Sequence, residues 1–158
     1  DLEAERFWVT INGSGDLRME DLEAGRVRAR LHGSGVLRME DLEAETLDVR
    51  ITGSGDMDMG DLSARTSETE LNGSGKLNIT GGEVEQQSIT ITGSGSYNAM
   101  DLTSTTADVE LTGSGSAAIH VEEHLKAVLT GSGDVRYTGS ASVDKSTNGS
   151  GDVVHVGG

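Results

Sequence analysis

The stretch Asn12-Gly13-Ser14-Gly15-Asp16-Leu17-Arg18-Met19 returns 40 residues later as Thr52-Gly53-Ser54-Gly55-Asp56-Met57-Asp58-Met59. Gly33-Ser34-Gly35 keeps the same frame between them. In all, Gly-Ser-Gly begins eight times, at Gly13, Gly33, Gly53, Gly73, Gly93, Gly113, Gly131 and Gly149. The first five steps are 20 residues and the last two are 18. A fixed period of this size marks a solenoid, in which each repeat is one coil stacked on the next. The motif holds 16 of the chain's 23 glycines, so glycine here serves turns rather than a flexible linker.

Working outward from the motif, apolar residues form columns at the repeat spacing. Ile11, Leu31, Ile51, Leu71, Ile91, Leu111 and Leu129 make one; Val9, Ala29, Val49, Thr69, Ile89, Val109 and Ala127 make another. After the motif, Leu17, Leu37, Met57, Leu77 and Tyr97 alternate with the column Met19, Met39, Met59 and Ile79. Leu2, Leu22, Leu42, Leu62 and Leu102 follow, with Ala4, Ala24, Ala44 and Ala64 two residues on. Polar residues fill most positions between. Period-two alternation of this kind belongs to strands with one buried face.

The phase of the alternation counts the corners. From Ala24 to Val27, and from Met39 to Leu42, the inward step is odd, so the chain must turn there. Strict parity also points both motif glycines inward at a sharp bend, where their lack of a Cβ removes a clash and permits positive φ. The sequence therefore predicts an all-β, right-handed parallel β-helix of about eight coils, with three short strands per coil. At a coil spacing of ~4.8 Å, it forms a rod of roughly 40 Å. A leucine-rich repeat has a similar period. It needs closely spaced leucines ending in Asn or Cys, with a non-strand return, and neither occurs here.

The repeat runs nearly end to end, so residues 1–158 read as one domain. Residues 138–158 are expected to be a degenerate C-terminal capping coil, because Lys145 and Thr147 replace apolar ladder residues. The first coil keeps Phe7, Val9 and Ile11. An N-terminal cap is therefore expected from upstream sequence or from a partner.

Composition narrows the function. A net charge of -15 argues against nucleic acid or an anionic membrane as the main partner. Zero cysteines exclude a disulfide scaffold and a thiolate metal site. No apolar run reaches the ~18 residues of a membrane span, so no transmembrane segment is expected.

The repeated Gly-Ser-Gly-Asp at 13–16, 53–56, 131–134 and 149–152, the Asp-Leu-x-Ala segments, and one C-terminal run carry a family resemblance. That run passes from Leu125 and Ala127 through Gly131-Ser132-Gly133-Asp134 to Tyr137 and Gly139. With these features the chain resembles the head GIN domain of bacterial auto-transporter adhesins. The resemblance implies a right-handed parallel β-helix, an exported protein of the cell surface, outer envelope or periplasm, and no catalytic residues.

Several residue groups invite a chemical role. Eight serines at one turn position, Ser14 onward, read as corner residues and not as nucleophiles, because no His and Asp accompany them repeatably. The four histidines lack zinc-site spacing, and no cofactor is expected. Glu20, Asp21, Glu40 and Asp41 stack carboxylates at one corner, which makes them calcium candidates; solvated, turn-capping acids are the simpler reading.

Seven of the 12 basic residues lie in the first 50 positions. Arg26, Arg28 and Arg30 alternate along one outward face, with Trp8 expected directly below Arg28. Such a patch suits a glycan or protein contact. Vertical ladder pairing, Trp8-Arg28-Asp48 and Arg30-Arg50-Glu70, is the competing account. Asn-Gly-Ser matches a glycosylation sequon wherever Asn precedes the turn, so it carries little information. The outward Thr90 and Thr92 do not extend into the regular threonine face an ice-binding surface needs.

The expected function is a non-enzymatic, adhesin-like interaction module that binds an unidentified protein or glycan through outward strand faces. The alternative is a structural self-stacking rod or spacer domain that assembles through its open N-terminal coil; a homo-oligomer formed by end-to-end or side stacking is the partner this allows. A polysaccharide-degrading β-helix would need a long inserted loop and clustered acids, which these uniform coils lack.

Overall fold

A computed structural model describes residues 2–156. Among these there is no helix, and β-strands occupy nearly every position outside the turns. Strands β1 (Leu2–Gly13), β2 (Asp16–Gly33), β3 (Val36–Gly53) and β4 (Asp56–Gly73) take successive coils. They are followed by β5 (Lys76–Gly93), β6 (Ser96–Gly113) and β7 (Ser116–Gly131). Together, β8 (Asp134–Thr138) and β9 (Ser142–Gly149) lie over β7, and β10 (Val153–His155) lies over β8. Every pairing is parallel and joins a coil to the next, so the molecule is a β-solenoid of about eight turns.

The register carries each ladder through unchanged. Ile11 pairs with Leu31, then Ile51, Leu71, Ile91, Leu111 and Leu129. The two-residue shortening of the seventh coil is absorbed in β6. Residues 100–102 are left over between the Ala99–Ile119 and Thr103–His120 pairs, and β7 regains one residue between Ser104–Val121 and Thr106–His124, a net loss of two. Register is held elsewhere because a one-residue slip would turn every apolar side chain outward. Val27, Ala29, Leu31, Leu37, Leu47 and Val49 are fully buried, each leucine worth about 1.5–3 kcal/mol over exposure.

Hydrogen bonding does not divide the coils into three short strands. From β2 to β6 each coil is one unbroken 18-residue strand, with only the Ser-Gly of the motif outside it. Pairing lapses at single residues, Glu20 opposite Glu40 and Gly25 opposite Glu45. These are the places where buried residues change parity, from Met39 to Leu42 and from Ala24 to Val27. Because neighbouring coils bend at the same residue, the ladder resumes at once.

The motif glycines prove to have different tasks, and only the second points inward. Gly53 is exposed with φ +109°, and a Cβ there would come within 2.8 Å of the Gly33 carbonyl oxygen. Gly55 is buried at an ordinary φ, where a Cβ would lie 2.5 Å from Leu31 Cδ2. One glycine thus permits the backbone path and the other makes room for the leucine of the coil below. Between them, the Ser54 amide donates to the Gly33 carbonyl at 3.0 Å, and its side chain is exposed. In the last coil, Lys145 and Thr147 stand over Ala127 and Leu129 and are both exposed.

Candidate functional site

The outward residues between the fifth and thirteenth positions of each coil form a continuous face. In the first coil these are Arg6, Trp8, Thr10 and Asn12. Arg26, Arg28, Arg30 and His32 lie directly over them. Period-two alternation sets this arrangement, because the same strands bury Val27, Ala29 and Leu31 on their other side. Trp8 is 62% exposed, and the Arg28 guanidinium carbon lies 5.3 Å from its ring centroid, a cation–π contact.

The patch is partly knitted by ladder pairs. Arg28 Nε lies 3.6 Å from Asp48 Oδ2, close enough for an ion pair but too long for a hydrogen bond, and that nitrogen has no hydrogen-bond partner. Arg50 reaches Glu70 at 2.9 Å. Asn72 donates to the same carboxylate at 2.8 Å. These contacts hold Glu70 below the usual carboxylate range, the Asn72 hydrogen bond being the largest cause. Arg26 and Arg30 make no ion pair among the described residues. The stack Trp8-Arg28-Asp48 and the exposed cluster therefore coexist: pairing engages Arg28, while Arg26 and Arg30 carry no ion pair among the described residues and the Trp8 ring stays largely exposed.

At the acidic corner, Asp21, Asp41 and Asp61 are in register along one edge. They border an open groove of about 680 Å³ floored by Leu22, Leu42 and Leu62, which Gly82 interrupts. Glu40 turns instead to Arg18, 2.5 Å away. Among the described residues, no three acidic or histidine side chains converge as metal ligands. Glu20, Asp21, Glu40 and Asp41 thus form a row with one member already paired, and not a cage.

A polar cluster in the interior was not anticipated. Tyr97 donates to Gln87 Oε1 at 2.9 Å, Gln87 Nε2 donates to Ser104 Oγ at 2.8 Å, and Ser104 donates to the His120 carbonyl at 2.6 Å. Tyr97, Gln87 and Ser104 are all buried. Burial raises the Tyr97 phenol above its ordinary value. The sequence signal was present in the columns: Gln87 stands where Val27 and Leu47 stand, and Ser104 replaces Ala24 and Ala44. Above it, the His120 ring bridges Thr138 at 2.7 Å and Glu122 at 2.6 Å. Tyr97, Gln87 and Ser104 are closed to solvent, and the His120–Glu122 pair above them reaches the surface.

The whole solenoid matches solved folds. A "putative adhesin" from Parabacteroides merdae superposes with a TM-score of 0.77 at 20% identity, over 98% of this chain and 92% of that one. One from Parabacteroides distasonis gives 0.77 at 18% identity, over 98% and 93%. One from Bacteroides fragilis gives 0.79 at 14% identity, over 98% and 93%. No curated protein matches the chain. At these identities the structures establish shared architecture alone. The family assignment comes from sequence: residues 36–141 match the model described as "Putative auto-transporter adhesin, head GIN domain". That span includes the C-terminal Gly-Ser-Gly-Asp-x-x-Tyr-x-Gly run, and by it the chain belongs to the head GIN domain family.

Proposed function

We propose that this protein is a non-enzymatic, adhesin-like module of the bacterial surface or envelope, and that it contacts its partner through the face built on Trp8, Arg26, Arg28 and Arg30. The observation that carries the reading is the 62% exposed Trp8 ring held against Arg28 in a chain otherwise strongly acidic. A rigid aromatic beside unpaired guanidiniums offers stacking area and charge to a sugar or an acidic protein segment at little entropic cost. The test is titration with a sulfated polysaccharide by calorimetry, comparing wild type with Trp8→Ala/Arg28→Ala. Loss of binding in the variant supports the face as the site; undiminished binding removes it.

A self-stacking rod is the second reading, because every coil joins the next by the same in-register parallel ladder, which a further coil of the same kind can extend. Such a rod must lengthen with concentration, so light scattering that shows mass beyond a dimer would favour it over the first.

A further inference from the structure

Charge on the outward face reverses sign along the rod. Over the first three coils it carries Arg6, Arg26, Arg28, Arg30 and Arg50 against Asp48 alone. Over the remaining coils it carries Glu68, Glu70, Asp108, Glu110 and Asp144 against Lys126. The two ends of one face are thus electrostatic complements of each other.

We infer that the partner of this face is a second copy of the same chain, packed face to face with the coil order reversed. This rests on the reading of the Trp8–Arg28 patch as a contact site and names what fills it. A two-fold axis lying along the strand direction maps each outward column onto itself and reverses the stack. With the fourth coil on the axis, the second coil faces the sixth. Arg28 then meets Asp108 of the other copy, and Arg30 meets Glu110, each pair occurring twice. Trp8 meets Lys126, a second cation for its exposed ring. A self-complementary surface closes as a dimer and goes no further.

The size suits this arrangement. Four outward residues span roughly 20 Å along a strand and the seven facing coils roughly 34 Å, about 670 Å² for each copy, towards the small end of the standard interface range. One like-charge contact is built in. Glu68 crosses its own counterpart at the axis, whereas Glu70 is neutralised by Arg50.

Sedimentation equilibrium tests the inference. A dimer is expected at about 20 mM salt that dissociates at about 500 mM, because screening removes contacts between exposed charges. Arg28→Glu/Arg30→Glu alone and Asp108→Lys/Glu110→Lys alone should each be monomeric, and an equimolar mixture of the two should recover dimer. Glu68→Gln should dimerise severalfold more tightly than wild type. A monomeric wild type at low salt, or a charge-swapped mixture that stays monomeric, overturns the inference. Polysaccharide binding separates the two levels: if wild type is monomeric yet loses that binding on Trp8→Ala/Arg28→Ala, the patch stands as a site and its occupant is not a second copy.

Discussion

Tyr97 of β6 and Gln87 of β5 share a 2.9 Å hydrogen bond in an interior filled mainly by apolar ladders. Neither partner can be removed alone without leaving the other buried and unpaired. Tyr97→Phe orphans the Gln87 carbonyl and should cost about 1–3 kcal/mol; Gln87→Leu orphans the phenol at similar cost. The double variant should fall well short of the sum of the two. Urea unfolding of the four proteins measures the coupling, and simple additivity would show that the bond contributes nothing specific.

The same phenol makes stability sensitive to alkali. Its acidity is weakened on folding by burial, so the folded protein holds that proton more tightly than the unfolded chain. The stabilisation is complete below the unfolded value of about 10 and is lost as pH rises beyond it. Melting temperature followed above pH of about 10 should fall more steeply for wild type than for Tyr97→Phe.

At the acidic end the sign reverses. Glu70 is held ionised by Asn72 and then by Arg50. Its contribution is present above the ordinary carboxylate value and is lost as pH falls through the lowered one. Replacing Asn72 with Ala should raise the Glu70 value, as read by carboxyl carbon NMR shifts, and Arg50→Ala, which removes both a hydrogen bond and a charge, should raise it too.

Alanine substitution should grade the motif glycines by position. Gly15, in the first coil, has no positive φ, and a methyl added there would meet nothing within 4 Å, so Gly15→Ala should lie within about 0.5 kcal/mol of wild type. Gly55→Ala must displace Leu31 and approaches the Gly35 oxygen at 2.8 Å; about 1–3 kcal/mol is expected. Gly53→Ala adds a positive-φ strain of about 1–2 kcal/mol to a backbone contact that cannot yield. Thermal melts that failed to rank the three in this order would contradict the division of labour between the glycines.

What could be read in advance followed from repetition. Ile11, Leu31 and Ile51 declare their register because they recur at one spacing, and the odd step from Ala24 to Val27 declares a bend. Where the repeat is broken, its logic gives no guidance. Gln87 and Ser104 look like lapses in two separate columns, and only the fold brings them within 2.8 Å. Gly53 and Gly55 are the same residue in the sequence, so their different tasks depend on which side of the bend each occupies. Arg18 finds Glu40 diagonally, 22 residues away, because a long side chain need not obey the ladder. On the outward face, Trp8 over Arg28 was visible as a column. Its 62% exposure was not.

The unbroken 20-residue register from β1 to β6 has an evolutionary corollary. Excising or duplicating one whole coil, for instance 41–60, returns every inward residue to an inward column, whereas losing a single residue inverts the following face. Length can therefore change in quanta of about 4.8 Å. The rod is a ruler whose graduations can be added or removed by unequal recombination while the core stays legal.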